Sequence, residues 1–158
     1  MKKTLLLILV IIFSITKTFA CTCAVTNESL SKKVKKEFIQ SDLIISGKVI
    51  DIKILNTSEI WSSADPIIYK FEITKTIKGK LKKEVIDIVS ERSGASCGYN
   101  FELGESYLVY AIKSTHFSSK TNNEFDFVTS LCTRNQKLKK VTEKELRKLK
   151  KLKYKNEK

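Results

Sequence analysis

The chain of 158 residues has one His, one Pro, one Trp and five Gly. A single imidazole, His116, excludes a catalytic metal site built on several histidines and leaves few options for a His-based triad. It lies in the polar stretch Ser114 to Asn123 and reads as a solvated loop residue. Asp42, Asp51, Asp87 and Asp126 show no paired spacing of the kind acid–base catalysis uses. An enzyme is therefore not expected, and no cofactor is implied. No internal repeat is visible, and only the terminal lysine run is compositionally biased.

Long apolar runs are also missing. The longest, Leu5 to Phe13, is about half of the ~20 residues needed to span a bilayer, which argues against a transmembrane segment. Lys2 and Lys3 precede it, and Thr18-Phe19-Ala20 follows with small residues at its first and third positions. That is the pattern of a secretory signal cleaved between Ala20 and Cys21. Residues 1–20 are thus expected to leave an exported chain, secreted or periplasmic. Lipid anchoring at Cys21 is the weaker alternative, because Thr18 stands where lipoprotein signals usually carry Leu.

What is abundant is positive charge, 30 Lys and Arg against 17 Asp and Glu. Residues 137–158 hold eleven of the basic residues and three of the acidic ones, whereas residues 21–136 are almost neutral. A basic tail of this kind is most often a solvated helix face, with an anionic surface as the alternative partner, and the neutral body argues against a nucleic-acid groove. Apolar residues make up 42%, too many for wholesale disorder, and the length suits one ordinary domain.

All four cysteines, Cys21, Cys23, Cys97 and Cys132, follow the signal. An even count in an exported chain reads as two disulfides, with three possible connectivities. A four-thiolate zinc site is the competitor, but such sites usually pair C-x-x-C units and this chain has one C-x-C. Cysteines in C-x-C do not easily bond each other. Cys21 and Cys23 should therefore each reach Cys97 or Cys132.

The periodicity predicts a helix over residues 28–40, then strands over 42–55, 67–78, 85–89, 107–112 and 125–129. In the first strand the apolar phase runs Leu43, Ile45, Gly47, Val49 and then switches to Ile50, Ile52, Ile54. Such a switch beside a glycine predicts a β-bulge. Asn56 to Pro66 reads as a loop holding Trp61, which is either an exposed anchor or folded back on the body. Thr142-x-x-Glu145 is a capping-box signature for a helix with Leu146, Leu149 and Leu152 on one face, and residues 153–158 are expected to fray. Truncation after Lys140 should then leave the body folded. Five strands, the first long and bent, predict a mainly β five-stranded OB-fold barrel with flanking helices.

Cys21-Thr22-Cys23 after a signal, Ser41-Asp42-Leu43-Ile44-Ile45, Cys97-Gly98-Tyr99 and Leu131-Cys132, in this order, resemble the tissue inhibitors of metalloproteinases. The likeness is to their N-terminal netrin-like domain, in a short form like those of bacterial genomes. It implies a disulfide-stapled OB fold over residues 21–136, while the lysine-rich helix and tail over 137–158 is a departure from the family pattern. It also implies the pairs Cys21–Cys97 and Cys23–Cys132. The expected activity is inhibition of a zinc metalloendopeptidase, with the amine and carbonyl of Cys21 chelating the protease's zinc. Thr22, Cys23, Ala24, Val25, Ala95 and Ser96 are the implied protease contacts, and no metal belongs to the chain itself. The chain departs from the family pattern at Ile39, where a third disulfide would place a cysteine, and at Ser96, often apolar. The animal inhibitors' second domain is absent. The alternative is an exported netrin-like binding module without inhibitory activity, in which the cysteines only staple the fold.

Overall fold

Strand residues 43–46 and 107–111 are buried without a break, so both faces of these strands need a core, and the chain supplies two. The structure, a computed structural model, describes residues 21–24 and 26–156. The predicted signal, residues 1–20, lies outside the described residues. Helix α1 spans Leu30–Gln40, and strands β1 to β4 span Leu43–Ile54, Pro66–Lys78, Val85–Glu91 and Ser106–Ser114. A helical turn α2, Ser118–Thr121, precedes the short strands β5, Asp126–Val128, and β6, Gln136–Lys137. Helix α3, Glu143–Asn156, completes the order.

β1 pairs antiparallel with β2 and with β4, β2 with β3, and β4 with β5, while β3 and β5 run parallel. The five strands thereby close a ring, and β6 adds to β4 beside β5. The long first strand is bent as its phase switch predicts. Register shifts fall at Ser46/Gly47 and Val49/Asp51, and Ile50 is left exposed between paired neighbours. A Cβ on Gly47 would stand 2.7 Å from the Glu72 carbonyl oxygen, so this crossing needs glycine.

Leu43, Ile45, Val49, Phe71, Ile88, Tyr107 and Val109 form the core that the ring encloses. Phe101 lies at its centre, edge-on to Tyr69, Phe71 and Tyr107 at centroid distances of 5.0, 5.0 and 4.9 Å. The opposite faces of the same strands, through Ile44, Leu108 and Tyr110, pack against Val34 and Phe38 of α1 and Leu149 of α3.

That second core corrects the reading of the C-terminus. Leu149 is 1% exposed and Leu152 packs beside it, so α3 is docked, and it continues to Asn156 past the point where fraying was expected. Leu146, grouped with them by spacing, is largely exposed. Only half of the capping box forms. Thr142 Oγ1 accepts from the Glu145 backbone N–H at 3.3 Å, but the Glu145 side chain turns inward instead of back to Thr142. The turn α2 arises inside a stretch read as loop, where Phe117 is buried and Thr121 Oγ1 and Asn123 Nδ2 both donate to Asp126 at 2.8 Å.

Candidate functional site

Two disulfides tie the segment after the predicted cleavage point to two distant loops. Cys21 is bonded to Cys97 and Cys23 to Cys132, across 76 and 109 residues, with Cα separations of 5.3 and 5.2 Å. Loop closures of this length stabilise by roughly 4 kcal/mol each in the chain-entropy model. The Sγ atoms of Cys21, Cys23 and Cys132 lie within 4.8 Å of one another, yet no cysteine among the described residues is free. Metal ligation needs thiolates, so the oxidised cluster is not a metal centre.

The loop that receives Cys21 is shaped by its own hydrogen bonds. Gly94–Ser96 form a single 3-10 turn, with Ser93 Oγ accepting from Ala95 N–H at 3.3 Å. Cys97 adopts a left-handed conformation at φ 65°, and Gly98 N–H returns to the Ser93 carbonyl at 2.9 Å. A Cβ on Gly98 would stand 2.1 Å from the Glu91 carbonyl oxygen, so the chain can pass the end of β3 only as glycine. Leu131 N–H donates to the Cys97 carbonyl at 2.7 Å, which brings the loop bearing Cys132 alongside.

These restraints hold Cys21 to Ala24 as a strip, joined at Cys21 to the Gly94–Cys97 loop and lying at Cys23 and Ala24 with Cys132 to Arg134. Thr22, Ala24 and Ala95 are exposed, and Cys21, Cys23 and Ser96 are half-buried. Val25, also expected in the strip, lies outside the described residues.

A third segment joins it that spacing did not reveal. Ser63 Oγ and Ser96 Oγ are 2.5 Å apart, and Ser93 N–H donates to the Ser63 carbonyl at 3.2 Å, so the loop between β1 and β2 is fastened to the cysteine loop. The buried Asp65 carboxylate organises that loop by accepting from Lys120 Nζ at 2.9 Å and from Ser62 N–H and Asn56 Nδ2 at 2.8 Å. The Lys120 ammonium first, and these two donors after it, hold Asp65 well below the usual carboxylate range. Trp61 resolves both ways at once. One ring face is covered by the Arg92 guanidinium, 4.2 Å from the centroid, while the side chain stays 51% exposed. Its neighbour Ile60 is 88% exposed, an apolar residue that a loop has no internal reason to present.

Beneath the strip is an open cleft of about 610 Å³ walled by Cys23, Ala24, Lys33, Lys36, Glu37 and Arg134. Burial pushes the Glu37 carboxyl up, against the hydrogen bond from the Arg134 backbone. Arg134 follows Cys132 by two residues and donates from Nη2 and Nε to Glu145 at 2.7 and 3.2 Å. Glu145 is 1% exposed and also accepts from Tyr110 OH and Gln136 Nε2, both at 2.9 Å. Burial, with the Glu145 carboxylate beside it, drives the Tyr110 phenol far above its ordinary range, so it stays protonated and donates. The segment carrying Cys132 is thus held from behind by α3.

His116 is exposed, edge-on to Phe117, as a loop residue. The sulfur cluster is the single metal-capable group of three or more His, Cys, Asp or Glu among the described residues. No helix among them is long and apolar enough to cross a membrane.

The family described as tissue inhibitor of metalloproteinase matches this chain over residues 19–157, nearly its whole length. No curated protein matches it.

Proposed function

The chain belongs to the tissue inhibitor of metalloproteinase family, and on that premise we propose that it is an exported inhibitor of a zinc metalloendopeptidase acting through Cys21. The observation that carries this reading is a half-exposed Cys21 clamped by disulfides at positions 21 and 23 against an exposed loop. Removal of residues 1–20 turns the Cys21 backbone nitrogen into an α-amine. A free α-amine has a pKa of about 7.7–8.0, so a fraction is neutral near pH 7, and zinc displaces the remaining proton.

A catalytic zinc keeps one coordination position for water or substrate. The Cys21 amine and carbonyl oxygen form a chelate that takes it, and Thr22, the next exposed side chain, enters the pocket beside the metal. Ala24, Val25, Ala95 and Ser96 make the flanking contacts, with Ile60 and Trp61 extending the surface. Because the strip is held before binding, little conformational entropy is lost on association. In this reading the strand ring is an OB fold over residues 21–136, and the inhibitor itself carries no catalytic group.

The test is titration of the processed, oxidised protein against a panel of zinc endopeptidases, with intact mass establishing a free Cys21 amine. One-to-one inhibition of at least one of them, competitive with substrate, is expected. Absence of inhibition across the panel by a protein of verified N-terminus would favour the non-inhibitory binding module.

A further inference from the structure

α1 and α3 lie side by side on the outer core, and between them they carry eleven Lys and Arg against three Glu. One of those glutamates, Glu145, is buried and already paired. Elsewhere in the chain Lys70, Lys120, Lys137 and Lys139 each have a carboxylate within 4.0 Å. Among the described residues, Lys32, Lys33, Lys35 and Lys36 of α1 and Lys144, Arg147, Lys148 and Lys151 of α3 make no ion pair. A groove of about 420 Å³ between the helices is lined by Leu30, Ser31, Lys144, Arg147, Lys148 and Lys151, without one acidic group. Spacing adds Lys155 to the row of Lys144, Lys148 and Lys151, a stripe about 16 Å long.

Like charges brought together by packing repel, and the four cations of a groove with no acid in its lining cost folding energy that an anionic partner returns. The same helices also expose Ile39 and Tyr154. A soluble polyanion has no use for these apolar groups, whereas a bilayer interface takes up lysines and apolar side chains together. We propose that the α1–α3 face is a docking surface for membranes rich in anionic phospholipid, with the phosphate-bearing headgroups meeting the groove cations. The basic region is then a folded two-helix surface rather than a loose tail, and the binding needs neither a protease nor Cys21.

The experiment is vesicle co-sedimentation of the exported, processed chain, its N-terminus shown by intact mass to carry no lipid. The probes are phosphatidylcholine vesicles with and without about one third phosphatidylglycerol, at low and high salt. Binding is expected to the anionic vesicles only, and to fall steeply with salt. The combined variant Lys144→Gln, Arg147→Gln, Lys148→Gln, Lys151→Gln should lose about 100-fold in partitioning while keeping its thermal midpoint. Equal binding to neutral vesicles, salt-insensitive binding by the parent, or parent-like binding by a folded variant would each overturn the proposal. So would capture by heparin or DNA without binding to anionic vesicles. If the variant does not fold, the salt and lipid dependence of the parent alone still decides the matter.

Discussion

Glu145 Oε2 lies 2.7 Å from Arg134 Nη2, a buried ion pair between the C-terminal helix and the segment that follows Cys132. With Tyr110 and Gln136 also donating, every lone pair of this carboxylate that faces the interior is engaged. Losing Arg134 strands the buried Glu145 carboxylate, so Arg134→Ala should lower the unfolding free energy by about 3–5 kcal/mol. Glu145→Ala should cost less, because the Arg134 it leaves opens onto the cleft. Truncation after Lys140 removes both Glu145 and the buried Leu149 and should cost more still. A truncated chain whose unfolding free energy lies within about 1 kcal/mol of the parent's would mean that α3 does not hold the fold.

Asp65 gives the neighbouring loop a defined acid limit. Its folded pKa is depressed, chiefly by Lys120. The stabilisation is therefore complete above the unfolded value of about 3.9 and is lost as pH falls from there through the lower folded value. Trp61 is the one tryptophan of the chain and sits in this loop. Its fluorescence should hold steady from pH 8 to about 5 and change only below about 4. Asp65→Asn should give an altered emission already at neutral pH. An Asn variant indistinguishable from the parent at every pH would remove Asp65 as the organiser.

Gly98 tests the path of the cysteine loop. A methyl group there meets the Glu91 carbonyl carbon at 2.7 Å and its oxygen at 2.1 Å, and backbone cannot rotate away as a side chain can. Gly98→Ala should fold poorly and give mixed disulfides on non-reducing peptide mapping. Ala at the exposed Gly94, which has nothing within 4 Å, should leave the pairing intact.

The phase switch at Val49-Ile50 marked the bulge, since side-chain alternation is local and survives into the structure. The continuous apolar run Tyr107 to Ile112 predicts a strand buried on both faces, and 107–111 are so buried, whereas Ile112 is exposed. Glu145 did not read correctly, although its spacing from Thr142 fits a capping box. The receptor that draws it inward is built from Arg134, Gln136 and Tyr110, which no local pattern connects to it. Ser63 and Ser96 are 33 residues apart and are common residue types, so their contact carries no signature. Cysteine count and C-x-C geometry tie Cys21 and Cys23 to Cys97 and Cys132 in either pairing, and only the family resemblance chooses the pairing that forms. The fastening of the Trp61 loop to the cysteine loop through Ser63 depends on tertiary closure.

The most direct test places one Ala before Cys21 in the processed protein. The extension moves the terminal amine by about 3.8 Å and converts the Cys21 nitrogen into an amide, a poor zinc donor. The added residue lies outside the ring, so both disulfides and the thermal midpoint should be unchanged. Against a protease that the parent inhibits, the inhibition constant should rise by orders of magnitude, whereas Thr22→Gly should weaken inhibition less and change selectivity. An Ala-extended protein that inhibits as well as the parent would contradict chelation through Cys21.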